Sequence, residues 1–477
     1  MDQSKTPLYN QLILHSEKYP TSLHVPGHKY GTIFPNDAKS HFQALLKLDA
    51  TELADLDDLH SPEGVILEAE TLLSQLYDVE KSFFLVNGST VGNLAMIMAA
   101  LNEHDTVLVQ RNCHKSVMNG IELAGAKAVF LGPDFHQDWV VSGGVSLEIV
   151  KKALDVYSNA KAVILTYPNY YGMVNELEKI IQLVHSRNIP VLVDEAHGAH
   201  FISGGGFPKS SVQLGADVVV QSAHKTLPAM TMGSFLHVNG NRVARESIEK
   251  HLNILQSSSP SYPIMASLDL ARSYIGTYSK EDHQYLYEQI SAFKEKLKQI
   301  DKVKVMEYDE GGDLLKITLQ TVSQYNGFEL QSAFEREGIY TELADPYNVL
   351  LVLPLLKEDS PFPFMQIAEG IHRSLRDVQL IKREKKVVEY APLITAPVLT
   401  SQEMEQFQMR KIPLLDAVGE ICAEKIIPYP PGIPLLFPGE LITKGIIEQI
   451  EGLIDSGARF QGTNHIYEHY ITIFTKK

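Results

Sequence analysis

Three short strings in the sequence carry residue types that do chemistry. "SAHK" at 222–225 sets Ser222, His224 and Lys225 directly after the apolar run "ADVVVQ". A lysine at the end of a buried strand is costly unless it is paired, ligated or covalently used. "VLVDEAHGAH" puts Asp194 at the end of another apolar run, with His197 three residues on. Ligands of open α/β sheets bind at the carboxyl ends of strands, so Asp194 and Lys225 are expected to face one crevice. A plain salt bridge between them is the competing reading. The third string, "FFLVNGSTVGNLAMIMAAL", reads as a strand, a tight turn at Gly88 and a long helix. Ser89 and Thr90 then place hydroxyls and N–H groups at a helix N-terminus, an anion site suited to phosphate. An ordinary Ser/Thr cap would look the same, and the GxxxxGK[ST] pattern of a nucleotide-binding loop is absent.

Taken in chain order, the three strings offer partners for a phosphate, a cationic ring nitrogen and an aldehyde. Pyridoxal 5'-phosphate presents all three. Lys225 would carry the cofactor as a Schiff base, and Asp194 would pair with the pyridinium nitrogen so that the ring acts as an electron sink. Such a lysine must be neutral to act as a nucleophile, which burial and cationic neighbours favour.

The elements that must position these residues can be read from the hydrophobic pattern. Short apolar runs at 82–86, 106–110, 128–132, 162–167, 190–195, 217–222 and 233–238 alternate with helical patterns such as "GNLAMIMAALN" and "ELEKIIQLVHSRN". This implies an α/β fold with a mainly parallel sheet covered on both faces. Four blocks follow: an N-terminal arm and loop (1–80), a large α/β domain (81–300), a smaller α/β domain (301–385) and a C-terminal α+β domain (386–477). Residues 381–400 read as a linker, and "MRKIPLLDAVGEI" (409–421) reads as a helix.

Composition narrows the function classes. The 477 residues carry 42 Lys+Arg against 58 Asp+Glu, a net charge of −16, which argues against a nucleic-acid partner. Two cysteines, Cys113 and Cys422, are too few for a disulfide framework or a zinc site, so no metal is expected and a reducing, cytoplasmic setting is. No apolar run reaches 18 residues and no secretory leader is legible, so no membrane partner is expected.

The sequence resembles the ornithine/lysine/arginine decarboxylases, which have the pyridoxal-phosphate fold type I, aspartate aminotransferase-like. The resemblance rests on "HVPGHKYG" (24–31), "LDDLHSPEGVILEAE" (56–70), "VNGSTVGN" (86–93), "RNCHKS" (111–116), "TYPNYYG" (166–172), "VDEAHGAH" (193–200), "SAHK" (222–225), "SSSPSYPIMASLD" (257–269) and "YPPGIPLLFPGE" (429–440), nine strings in order. It implies that Lys225 is the Schiff-base lysine. Gly88, Ser89, Thr90, Ser222 and His224 would bind the cofactor phosphate. His114 would stack on one face of the ring and Ala196 pack the other, with Asp194 at the ring nitrogen. Either Ser258 or Ser259 would reach the phosphate of a neighbouring subunit. Glu440 would lie near the distal end of the substrate, and His24 and His28 near the site. His197 stands where inducible members carry an aromatic residue, leaving a proton relay and structural support both open.

Larger members carry an N-terminal wing domain that drives decamers. This chain begins almost at "HVPGHKYG", so a wingless dimer or tetramer with its site at the dimer interface is expected. The implied reaction is decarboxylation of a basic amino acid, with Lys225 or His224 returning a proton to Cα. Arginine, giving agmatine for polyamine biosynthesis, is the first choice of substrate, with lysine and ornithine open. A fold-type-I aminotransferase would share the cofactor residues, but "YPNYYG" stands where its NPxNPTG string would fall. A non-catalytic homologue would tolerate loss of Lys225.

Overall fold

The computed structural model of the chain describes residues 2–309, 311–358, 360–381, 393–428, 434–462 and 465–476. The chain divides into two compact units. One comprises Met1–Ala100, Pro190–Gly205 and Lys209–Ser279; the other comprises Leu101–Ile189, Gly206–Pro208 and Lys280–Lys477.

In the first unit four strands lie side by side in the order Lys81–Leu85, Ser234–Val238, Val218–Gln221, Val191–Asp194. The last two are parallel, with Asp194 opposite Val220, while Ser234–Val238 runs antiparallel to both its neighbours. Val191–Asp194 and Val218–Gln221 are buried along their whole length, as near-continuous apolar parallel strands must be. The helix Gly88–Ala100 packs against these strands. The N-terminal helix Pro7–Glu17 is held by Asp269, whose carboxylate accepts the N–H groups of Leu8 and Tyr9 at 3.0 and 3.3 Å. Asp269 in turn pairs with Arg272, fully buried one turn along the helix Tyr262–Gly276.

In the second unit the strands Ala162–Thr166, Thr106–Gln110 and Lys127–Leu131 are parallel, and Ile394–Thr395 adds an antiparallel edge against Phe130 and Leu131. Part of the segment read as a linker is therefore a strand; residues 382–392 of it lie outside the described residues. A four-stranded antiparallel sheet ordered Val303–Val305, Lys316–Thr321, Asn348–Val352, Leu343–Ala344 forms the smaller α/β part.

The helix expected at 409–421 does not form. Phe407–Pro413 is a strand paired along its length with Tyr470–Lys476, followed by a short 3-10 turn, Leu414–Ala417. Pro413 disfavours a continuous helix, and the strand's partner lies some sixty residues on, beyond the reach of a local pattern. The core beneath it gathers Leu414, Cys422, Leu436, Ile450, Ile466 and Ile473. Cys113 and Cys422 are buried and unbridged.

Candidate active site

The strand Val218–Gln221 ends at Ser222, and a single helical turn, Ala223–Thr226, carries His224 and Lys225. That turn aims the lysine. Lys225 Nζ lies 3.1 Å from His197 Nε2. His224 is pinned by its backbone N–H and by ring Nδ1, both on the Gly233 carbonyl, at 3.1 and 3.0 Å. A carbonyl only accepts, so the His224 proton sits on Nδ1. Asp194 is buried at the end of the adjacent strand. Its Oδ2 accepts Asn93 Nδ2 at 2.9 Å and its Oδ1 accepts the Ala196 N–H at 3.1 Å. Both donors are neutral, so the carboxylate is aligned without being neutralised.

The helix Gly88–Ala100 brings the third string to the same place. Ser222 Oγ donates to Ser89 Oγ at 2.7 Å, joining "NGST" to "SAHK". Since Ser89 Oγ accepts from Ser222, its own proton points elsewhere. The first-turn N–H groups of the helix have no partner within it and carry partial positive charge. Gly88 has φ +80°, a left-handed conformation that favours glycine, and its N–H bonds Met232 O at 3.0 Å. A Cβ built on Gly88 meets nothing within 4 Å, so there is open space at the helix start.

These residues fit pyridoxal phosphate. A carboxylate with neutral donors suits a ring cation, a lysine beside a histidine suits an aldehyde, and a helix start with an outward hydroxyl and open space suits a phosphate.

Other expected residues have surroundings of their own. His24 Nε2 lies 3.4 Å from Tyr30 OH, which is 2.8 Å from His15 Nε2; His15 Nδ1 is 3.2 Å from Asp55. His28 Nε2 is 3.0 Å from Asp49. The two loop histidines are thus engaged with Tyr30 and Asp49, not with Lys225 or Asp194. Ser258 and Ser259 sit on an exposed turn whose Ser257 N–H bonds Asn87 Oδ1 at 3.1 Å, next to the "NGST" helix start. Thr90 is exposed at that start.

His114 and Glu440 belong to the second unit. His114 is the N-cap of the helix Lys115–Leu123, its Nδ1 2.8 Å from Ser116 Oγ. Glu440 is buried and grips Arg111 with both oxygens, one at 2.9 Å from Nη2. Arg111 Nη2 also donates to Leu435 O at 2.6 Å, and the guanidinium lies 4.5 Å from the Phe130 ring centre. Residues 429–433 of the "YPPGIPLLFPGE" string lie outside the described residues.

Sequence reasoning missed Asn93, Arg111, Glu195 and Gln221. Asn93 was detectable as a polar residue within the apolar "VGNLAMIMAA". Arg111 gave no signal without its distant carboxylate.

The chain matches the Orn/Lys/Arg decarboxylase major domain over residues 6–329 and the Orn/Lys/Arg decarboxylase C-terminal domain over 383–468. It is 45% identical to the uncharacterized protein YaaO of Bacillus subtilis over 479 residues, 99% of each chain. It is 30% identical to an arginine decarboxylase of the same organism, covering 100% of this chain and 99% of that one. The fold is that of the constitutive lysine decarboxylase of Escherichia coli, with a TM-score of 0.80 at 19% identity over 99% of this chain and 82% of that one.

Proposed function

Because the chain belongs to the Orn/Lys/Arg decarboxylase family, we propose that it converts arginine to agmatine and CO2 at the site around Lys225. It is a pyridoxal-phosphate-dependent decarboxylase of basic amino acids. Arginine is favoured over lysine because arginine decarboxylases match it at 30–33% identity. Lysine decarboxylases match at 22–24%.

Bound pyridoxal phosphate supplies the sink for the electron pair left behind when CO2 departs. The protein's part is to bind, orient and move protons. The observation that carries the reading is the 3.1 Å approach of Lys225 Nζ to His197 Nε2. A lysine that binds an aldehyde must first lose a proton, and His197 Nε2 would take it and return it. Asp194 would hold the ring nitrogen as a cation, kept in line by Asn93 and the Ala196 N–H. The helix start at Gly88, with Ser89, Thr90 and Ser222, would hold the phosphate, with His224 beside it. Ala196 would pack one face of the ring. Lys225 or His224 would return the proton to the substrate Cα.

A second copy of the chain completes this reading, with the exposed turn at Ser258 and Ser259 reaching the neighbour's phosphate site. A cytoplasmic setting and a polyamine-forming role go with it. The distal cation of the substrate calls for a carboxylate, yet the grip of Glu440 on Arg111 supports a structural role for Glu440. CO2 release from purified protein with added pyridoxal phosphate, compared across arginine, lysine and ornithine, tests the assignment. Arginine should be turned over fastest. Turnover of lysine or ornithine above arginine would reassign the substrate. Consumption of 2-oxoglutarate without CO2 would make the protein an aminotransferase.

A further inference from the structure

Glu195 follows Asp194 at the strand end and is fully buried. Side chains alternate along a strand, so it faces away from Asn93 and the helix Gly88–Ala100. Four donors converge on its carboxylate. Oε2 accepts Ser211 Oγ at 2.6 Å, Ser210 Oγ at 2.9 Å and Gln221 Nε2 at 3.2 Å, and Oε1 accepts the Ser211 N–H at 3.2 Å. All four are neutral. Burial pushes the Glu195 carboxyl up to about 7, with these donors pulling the other way.

Gln221 is the last strand residue before Ser222. Its amide oxygen lies 3.1 Å from His237 Nε2, and His237 Nδ1 lies 2.8 Å from Ser82 Oγ. Burial pushes His237 down to about 3, so the ring is neutral. With the Gln221 amide N–H given to Glu195, the chain has one direction: Ser82 donates to His237, His237 to Gln221, Gln221 to Glu195. The Glu195 backbone works on the other side. Its N–H bonds Val220 O at 2.8 Å, and its carbonyl accepts the Gly198 N–H at 3.0 Å, closing the turn 195–198 that carries Ala196 and His197. That turn is packed on the Glu195 side chain: a Cβ on Gly198 would come within 2.7 Å of Glu195 Cγ and 2.8 Å of Oε1.

We propose that Glu195 is a positioning residue, whose carboxylate ties the turn 195–198 to Gln221 and so sets where His197 stands against Lys225. The inference rests on the reading of Lys225 as the cofactor lysine. A neutral amide at 195 cannot reproduce the clamp. Its single oxygen would satisfy the Ser211 N–H or Gln221, and the unsatisfied side would have to turn Gln221 over and change the His237 tautomer.

The test compares the parent with Glu195→Gln and Gly198→Ala after reconstitution with pyridoxal phosphate. Visible circular dichroism of the lysine-bound cofactor reads its orientation; kcat, KM and Tm are measured on the same samples. Both variants should change the visible band at least about twofold and lower kcat about tenfold, with KM within about twofold. Variants with the parent's band and kcat, whatever their Tm, would overturn the proposal and leave Glu195 as a core residue. If Glu195→Gln does not yield folded protein, Ser211→Ala, which keeps the carboxylate and removes one hydroxyl donor, is scored the same way with a smaller change. Lys225→Ala separates the two readings. A lysine-type band that persists in it sinks the cofactor assignment, whereas its loss together with unaltered bands in the other variants sinks only the positioning role.

Discussion

Asp194 and Glu440 are both carboxylates with less than a tenth of their surface exposed, 3% and 7%, and the protein treats them in opposite ways. Asp194 receives two neutral N–H donors, from Asn93 and Ala196. Glu440 receives an arginine, whose guanidinium also packs on Phe130 and donates to Leu435 O. Glu440 Oε2 accepts the Phe437 N–H as well, at 2.8 Å. A buried charge needs compensation. Glu440 finds it within its own chain, and the pair links the 111 turn to the 435–440 loop. Asp194 is oriented by its two neutral donors and has no cationic side chain beside it among the described residues. Burial alone therefore does not say how a carboxylate's charge is met; the donors around it do.

The sharpest way to break that contrast is at Lys225, the proposed cofactor lysine. Lys225→Ala should lower CO2 release by about a thousandfold or more while leaving a folded protein. Release at the parent rate from arginine, lysine and ornithine would remove the lysine from the chemistry. Asp194→Ala should come next, with kcat lower by about a hundredfold. Because it takes away two neutral hydrogen bonds and no ion pair, its Tm should stay close to the parent's; a large loss of Tm with kcat retained would make Asp194 a structural residue.

Glu440→Ala should show the reverse pattern. Leaving Arg111 buried without its carboxylate should cost about 3–5 kcal/mol by denaturant unfolding. The double variant Arg111→Met with Glu440→Leu should recover much of that, since a buried pair can be replaced by packed apolar groups. If Glu440→Ala instead keeps its stability and raises KM for arginine alone, Glu440 belongs to the substrate after all.

The smallest effect concerns pH. Glu195, raised from 4.5 to about 7 by burial, is favoured in the folded state when protonated. Its contribution is fully present below 4.5 and is lost as pH rises through about 7. The Tm difference between parent and Glu195→Gln should therefore favour the parent more at pH 4.5 than at pH 7.5. His237, lowered from 6.5 to about 3, has the opposite sign: its contribution is present above 6.5 and is lost as pH falls through about 3. It is common to both proteins, so it cancels in the difference. A difference that does not change with pH would mean that Glu195 is not titrating in that window.

Much of this was legible beforehand, and the misses share a cause. The expected strands of the large domain begin within a residue or two of the observed ones, because parallel strands buried on both faces must be written as continuous apolar runs. The strings around Ser89, Asp194 and Lys225 stood out because polar residues interrupt those runs. The region 409–421 misled because Phe407–Pro413 takes its structure from Tyr470–Lys476. The pairing of Glu440 with Arg111 left no local trace because the two residues are 329 apart in the chain.

By itself the sequence determined the order of strands and helices and the presence of a lysine, an aspartate and a helix start suited to one cofactor, since backbone pattern and residue chemistry are local properties. Only the tertiary structure decided which buried group meets which. It brought Ser222 to Ser89 and His197 to Lys225, assigned Arg111 to Glu440, and enclosed Glu195 among four neutral donors. Those pairings depend on distances between residues far apart in the chain, which no local pattern encodes.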